Sequence, residues 1–258
     1  MNFHTNEWIM KNLQNHYDYV KEHITQNEII GVFLHGSQNY GLDFETSDVD
    51  SVCLVMPSKY DITSGHEPMS KELVIEETNE RIVVWEIRKF INFLEKGGFN
   101  QLEILYTNYY ILNSTYRPFW QYINNHRADF TYLNERRTAN SFLGMINRCA
   151  NEIKKDNTNT AKEYMRISFF MQCLKRYLDH ISFDSVLFPP NSDDLKHIRT
   201  ASLPPKESII FMLDSIKNVA IDLINEHEFN ATNEDNCIID CAREILFNIL
   251  KETVFMTK

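Results

Sequence analysis

The stretch "HGSQNYGLDFETSDVDSVCLV", residues 35–55, determines the fold prediction because it joins two extended apolar segments. The first segment, residues 29–35, is rich in β-branched and aromatic residues and runs into Gly36 and Ser37, which predicts a strand that ends in a turn. The second, residues 48–56, is an apolar run that begins with two aspartates. The stretch therefore predicts two strands joined by a polar, glycine-containing loop.

Asp48 and Asp50 lie two residues apart at the start of the second strand. Side chains alternate across a strand, so both aspartates are expected on the face that carries Val52 and Leu54. Two carboxylates on one face repel each other, and a cation removes this penalty. Mg²⁺ prefers such oxygen ligands, and a pair can bridge two ions. The alternative is the ordinary polar start of a solvent-facing strand.

The flanking residues favour chemistry on a phosphate. Gly36 permits a close backbone approach, and Ser37 offers a hydroxyl and an N–H to phosphate oxygens, although a plain turn explains the pair equally well. A third carboxylate usually completes a two-metal site, and Glu86 is the candidate. Its alternative role is to stabilise a helix N-terminus. Other candidates, expected to be exposed in a hairpin, are Glu76, Glu77 and Glu80.

The periodicity of the remaining chain predicts an α/β half followed by an all-helical half. The first 25 or so residues show helical spacing, and residues 71–98 show two extended runs and then a helix that begins at Glu86. Residues 100–112 are expected to be helical at first, and residues 113–118 to form a loop. Helices are predicted at 138–155, 160–180, 205–227 and 235–255, with an irregular connection from Ser182 to Pro205.

The fold class expected from these patterns is α+β. Residues 1–127 are expected to form an α/β domain with a small mixed sheet, and residues 128–258 a C-terminal helical bundle domain. A length of 258 residues with 43% hydrophobic content suffices for a packed core.

Composition limits the classes of partner. The formal charge of −10 disfavours a general nucleic-acid coat. No signal peptide or membrane span is apparent. The five cysteines are scattered without a CxxC pair, and Cys237 and Cys241 are expected on a buried helix face. We therefore expect a soluble, unexported, cytoplasmic protein.

The chain has a Gly-Ser turn, then a D-x-D strand, then a later acid. This order of motifs resembles that of the nucleotidyltransferases of the DNA polymerase β superfamily. More narrowly, "GSQNYGLDFETSDVD", "VWEIRKF" and "FNQLEILYTNYYI" are similar to predicted nucleotidyltransferases of bacteria and their phages, which share a Leu-Glu-Ile-Leu stretch. The resemblance covers residues 29–112. Farther along, "AKEYMR" and "LKHIRTASL" resemble the helical domain of that family.

This resemblance implies a two-metal, polymerase-β-like nucleotidyltransferase. Asp48, Asp50 and Glu86, at a position where many relatives have Asp, would hold Mg²⁺, or Mn²⁺ in its place. Gly36 and Ser37 would bind the β- and γ-phosphates of a nucleoside triphosphate. A nucleoside monophosphate would pass to an acceptor hydroxyl on an RNA end, a protein or a small molecule, and pyrophosphate would leave.

Candidate nucleotide-binding residues in the second half are Lys162 and Tyr164, with Arg166, Lys196 and Arg199 as further possibilities. Solvated or packed helical residues are the alternative for each. His35 is expected to be structural. Two rival functions stay open: a catalytically inactive nucleotide-binding or regulatory module of the same fold, and a metal-dependent glycosyltransferase that uses the D-x-D triplet on a nucleotide sugar.

Overall fold

A five-stranded mixed sheet forms the first half of the protein. The computed structural model describes residues 3–155, 159–229 and 237–251. The strands are β1 (Ile29–His35), β2 (Asp50–Val55), β3 (Ser70–Ile75), β4 (Glu80–Glu86) and β5 (Tyr110–Leu112). Their order across the sheet is β3-β4-β2-β1-β5, and only the β2–β4 pair is parallel. Strand β2, which begins at the second aspartate, is therefore the central strand.

Helices pack on the sheet and make up the regular structure in the described part of the second half. They are α1 (Asn6–His23), α2 (Lys59–Thr63), α3 (Ile87–Glu95), α4 (Phe99–Tyr106), α5 (Arg117–Asn125), α6 (Arg127–Tyr132), α7 (Glu135–Lys154), α8 (Thr160–Leu178), α9 (Phe183–Leu187), α10 (Ser192–Thr200), α11 (Lys206–Glu226) and α12 (Cys237–Leu250). The predicted α+β class with a helical C-terminal region is confirmed.

Some local predictions need correction. The connection from Ser182 to Pro205 contains α9 and α10, because its prolines lie between and after these short helices. The predicted loop at 113–118 contains a 3-10 turn and the first residues of α5. Of the helix predicted at 235–255, residues 235–236 and 252–255 lie outside the described residues.

The cysteines of α12 differ from expectation as well. Cys237 is exposed and Cys241 is half-buried, so the two do not lie together on a buried face.

Strand β2 is buried on both faces, and its side chains alternate as predicted. Val52 and Leu54 belong to the main hydrophobic cluster, which also contains residues of α3 to α12. Val49 and Cys53 belong to a second cluster, formed with apolar residues of α1 such as Leu13. Burial of alternating apolar side chains on both faces fixes the register of β2, because a shift by one residue would exchange the two faces.

The main cluster is continuous from the sheet into the helical half, from Ile30 to Leu246. The domain boundary predicted between residues 127 and 128 falls inside α6, and it stays a prediction. Within the described ranges, none of the helices has the length and apolar character that crossing a membrane requires.

Candidate active site

A cavity of about 930 Å³ lies between the sheet and the helices of the second half. From the sheet side, Gly36, Ser37, Asp48 and Asp50 line it. From the helical side, the cavity is lined by residues of α7, α8 and α10. The structure therefore brings the Gly-Ser turn and the aspartate pair into one space, whose size is that of a small-molecule site.

The aspartate pair is arranged as an unfavourable charge pair. Asp50 is the half-buried first residue of β2, and Asp48 lies exposed just before it. Burial and the negative charge of Asp48 raise the pKa of the Asp50 carboxyl, although nearby cations such as Lys162 oppose the shift. A bound cation would relieve both the burial penalty and the repulsion. The pair thus suits a divalent ion with a preference for oxygen ligands.

Gly36 gives the aspartate pair room. Its φ of +90° is a backbone conformation that favours glycine, and a Cβ there would lie 3.4 Å from Asp50 Oδ2. The Gly36 N–H donates to Glu103 Oε1 at 2.7 Å, so it already has a partner within the protein. The Ser37 hydroxyl, in contrast, has no hydrogen-bond partner in the part of the chain that the structure describes. Ser37 is therefore the better phosphate donor of the two.

Glu103 of α4 holds the turn in place through its buried carboxylate. Its fully buried carboxylate lies 2.8 Å from His35 Nδ1 and accepts a 3.0 Å hydrogen bond from Asn39 Nδ2. Burial alone would raise the pKa of Glu103 and lower that of His35. Their mutual attraction outweighs burial, so the pKa of Glu103 is lowered and that of His35 is raised.

Sequence reasoning missed this role of Glu103. The one signal was the Leu-Glu-Ile-Leu stretch, which places an acid among apolar residues that are all buried. The structural role expected for His35 agrees with this contact.

A second buried network holds the aspartate segment from the other face of the sheet. Glu80 accepts a 3.2 Å hydrogen bond from the N–H of Val49, between the two aspartates. His16 of α1 lies 3.4 Å from Glu80 and 2.8 Å from the hydroxyl of Ser51. Burial raises the pKa of Glu80, but hydrogen bonds from His16 and Thr78 lower it overall. Glu80 is therefore a buried positioning residue, contrary to the exposure expected for it.

The structure does not bring Glu86 to the aspartate pair. Because β2 and β4 run parallel, Glu86 at the end of β4 pairs with Val55 at the end of β2. Val55 is five positions beyond Asp50, a distance of about 16 Å along a strand. Glu86 is buried and forms an ion pair with Arg88 instead. This geometry leaves no support for Glu86 as a third metal ligand.

On β4, the position beside Asp50 is Arg81. The register pairs Ser51 with Ile82, which places Arg81 next to Asp50 along the parallel ladder. Arg81 lines the cavity, lies 3.7 Å from Glu72 of β3, and lowers the pKa of Asp50. Among the described residues of β4, a cation therefore stands where a third carboxylate would be needed.

The helical side of the cavity has more cations than carboxylates: Arg148, Lys162, Arg166 and Arg199 line it together with Glu152 and Glu163. Lys162 is exposed in the first turn of α8, which the side chain of Asn159 caps, and it forms no ion pair with any described residue. Arg166, one turn later, lines the cavity and pairs with Glu163 at 3.1 Å. Arg199 of α10 also lines it and lies over the ring of Phe44.

Two predicted residues lie elsewhere. Tyr164 is not among the described residues that line the cavity, and it packs against the main hydrophobic cluster instead. Lys196 lies 4.0 Å from the buried carboxylate of Asp43.

Comparisons with known proteins identify the family of the chain. The model of a family described as the RNA repair pathway DNA polymerase beta family, RlaP, matches residues 8–178. The chain therefore belongs to this family of polymerase-β-like nucleotidyltransferases. The match includes the turn, the aspartates and all of α8.

One similar solved structure is that of a nucleotidyltransferase-like protein from Exiguobacterium sibiricum 255-15. The alignment covers 93% of this chain and 80% of the other chain, with 11% sequence identity and a TM-score of 0.32. This likeness is too low to support conclusions about the site. No curated protein matches significantly.

Proposed function

We propose that this protein is a metal-dependent nucleotidyltransferase that transfers a nucleoside monophosphate from a nucleoside triphosphate to an acceptor hydroxyl, with release of pyrophosphate. One observation carries the proposal: Asp48, Asp50 and Ser37 line the same cavity that Lys162 lines from the helical side. Oxygen ligands for a cation thus face groups that bind phosphate, which is the arrangement that phosphoryl transfer requires.

The residues have distinct tasks. Asp48 and Asp50 would hold Mg²⁺ or Mn²⁺, which supplies charge neutralisation on the phosphates and on the attacking and leaving oxygens. The hydroxyl of Ser37 donates to a phosphate oxygen, and Gly36, which has no Cβ, leaves space for the carboxylate of Asp50. Lys162, which forms an ion pair with none of the described carboxylates, contributes an ammonium for the triphosphate. In this proposal residues 1–127 supply the metal ligands, and residues 128–258 supply the cations that bind phosphate.

The acceptor is proposed to be an RNA end. The family description refers to RNA repair, and the cavity wall carries the cations Arg148, Arg166 and Arg199 in addition to Lys162. A net charge of −10 disfavours extended binding along a long nucleic acid, so the contact is expected to be local to a terminus. Protein and small-molecule hydroxyls are the alternative acceptors, and a cytoplasmic setting suits any of them.

The test is transfer of label from each α-labelled nucleoside triphosphate, with Mg²⁺ or Mn²⁺, to short RNAs with free 3′ hydroxyls and to a cell extract. We expect labelled product with the wild type and none above background with Asp50→Asn. Glu86→Gln is the matched control, because it alters a buried carboxylate outside the cavity and should retain transfer. Equal transfer by Asp48→Asn, Asp50→Asn and the wild type would refute the proposal.

The second candidate is a nucleotide-binding module without turnover. The presence of Arg81, rather than an acid, beside Asp50 favours it. Such a protein would bind a nucleoside triphosphate with metal, as measured by calorimetry, and release no pyrophosphate with any acceptor offered. Release of pyrophosphate that depends on Asp50 would exclude this candidate.

A further inference from the structure

A cluster of one carboxylate and two imidazoles joins the ends of three long helices. Glu135 is the first residue of α7, His180 lies two residues beyond the end of α8, and His227 directly follows α11. Glu135 Oε1 lies 3.2 Å from His180 Nε2 and 3.4 Å from His227 Nε2. All three ligand atoms lie within 4.8 Å of one another.

These separations suit a tetrahedral metal ion. With zinc–ligand bonds of about 2.0–2.1 Å, neighbouring ligands of a tetrahedron lie about 3.4 Å apart. Both distances from Glu135 Oε1 match this value. His227 Nε2 is buried and, among the described residues, makes no hydrogen bond, although it lies within 3.4 Å of the carboxylate oxygen. The convergence of the three ligand atoms, rather than the missing hydrogen bond, is what indicates a shared ion.

The surroundings fix the orientation of the ligands. Glu135 is buried, and its ring partners are held by aromatic contacts: His180 stacks on Tyr132, and His227 meets the edge of Phe229. His180 has a φ of +53°, a position after a helix that glycine usually occupies. The partial exposure of the His180 side chain leaves a path for an ion.

We propose that Glu135, His180 and His227 form a Zn²⁺ site that fastens α7, α8 and α11 together. Two imidazoles and a carboxylate are zinc ligands, and water would complete the tetrahedron. The site is separate from the cavity: Arg148, which lines the cavity on the same helix, is 13 residues from Glu135, about 20 Å along the axis. It goes beyond the proposed transfer reaction and does not depend on it.

The test is zinc binding to the full-length protein, with millimolar Mg²⁺ present to saturate the aspartate pair. We expect one equivalent of Zn²⁺ by elemental analysis after desalting, and an increase in the melting temperature upon Zn²⁺ addition. The variants His180→Ala and His227→Ala should lose both. His126→Ala is the matched control, because His126 forms a similar contact with Asp129 at 3.0 Å, without a second histidine; it should retain both.

A measurement on the wild type alone keeps the test independent of how the variants fold. Co²⁺ in place of Zn²⁺ should give the strong visible absorption of a tetrahedral site, and Zn²⁺ should displace it. Absence of bound Zn²⁺ in the wild type would show that the cluster is only a set of histidine–carboxylate contacts. Retention of Zn²⁺ by the folded His180→Ala, His227→Ala double variant would place the ion elsewhere. Either result would overturn the proposal.

Discussion

Glu103 Oε1 accepts a 2.7 Å hydrogen bond from the N–H of Gly36, which ties α4 to the turn at the edge of the candidate active site. The same carboxylate balances the charge of His35 through its other oxygen, at 2.8 Å. One buried side chain thus determines where β1 ends and how the turn leaves it. Groups that orient a site in this way commonly affect activity nearly as much as the groups that touch the substrate.

Glu103→Gln should lower the free energy of unfolding by about 2 kcal/mol, because the buried side chain loses its attraction to His35 and accepts the hydrogen bond from Gly36 without a charge. Nucleotidyl transfer should also fall, since the turn loses its fixed position. Urea denaturation and the transfer assay measure the two effects. Glu22, which is exposed on α1 and does not line the cavity, is changed to Gln as the control and should leave the unfolding midpoint in place. An equal effect of both variants would contradict the prediction.

The contact between His35 and Glu103 should make stability depend on pH. The raised pKa of His35 gives a contribution that is complete below about pH 6.5 and lost as the pH rises through the folded-state pKa. The lowered pKa of Glu103 gives a contribution present above about pH 4.3 and lost as the pH falls through its folded-state pKa. The His35–Glu103 pair should therefore stabilise the folded protein most between about pH 4.3 and about pH 6.5.

The measurement is urea denaturation of the wild type and His35→Gln across this range. The difference in unfolding free energy should be largest near pH 5.5 and should shrink in alkaline solution. A difference that does not vary with pH would show that the imidazole acts only through packing.

Asp50→Asn should have opposite effects on stability and function. Burial and the charge of Asp48 disfavour the ionised Asp50, so its neutral replacement should raise the free energy of unfolding without metal by up to about 1 kcal/mol. The increase in melting temperature that Mg²⁺ gives the wild type should disappear. Thermal melts with and without Mg²⁺ test both parts. Glu86→Gln should be less stable than the wild type, because it weakens the contact with Arg88, yet should keep the response to Mg²⁺.

Arg81→Asp should strengthen metal binding. Its carboxylate would lie beside Asp50 on the neighbouring strand, where the site lacks a third oxygen ligand, and the competing positive charge would be gone. We expect the Mg²⁺ concentration at half-saturation to fall about tenfold, a change of about 1.4 kcal/mol. Arg81→Gln separates the two causes, since it removes the charge without adding a ligand. Equal affinities for these two variants would show that charge alone matters.

The part of the site that lies close together in sequence could be predicted. The alternation of β2 follows from the period of a strand, and the turn follows from the Gly-Ser pair; the structure agrees with both. Asp48 precedes β2, but both aspartates line the cavity. The family resemblance stated for residues 29–112 lies within the range that the family model matches. Local patterns determine these features because each depends on residues a few positions apart.

The prediction for Glu86 failed to account for strand direction. An acid at the end of β4 would approach the start of β2 only if the two strands were antiparallel, and they are parallel. The period of the apolar residues is the same in both cases, so the sequence pattern does not distinguish them. The partners of Glu103 and Glu80 were equally inaccessible, because each contact joins residues more than 30 positions apart.

The central place of β2 has a consequence for hydrogen exchange. Its amides are bonded to β1 on one side and β4 on the other, and hydrophobic clusters cover both of its faces. Deuterium should enter this strand only when the whole protein opens, so the rate there reports the global unfolding free energy. The scaffold immediately behind Asp50 thus belongs to the most slowly exchanging part of the molecule, and the aspartate pair is presented to its ligands already in place.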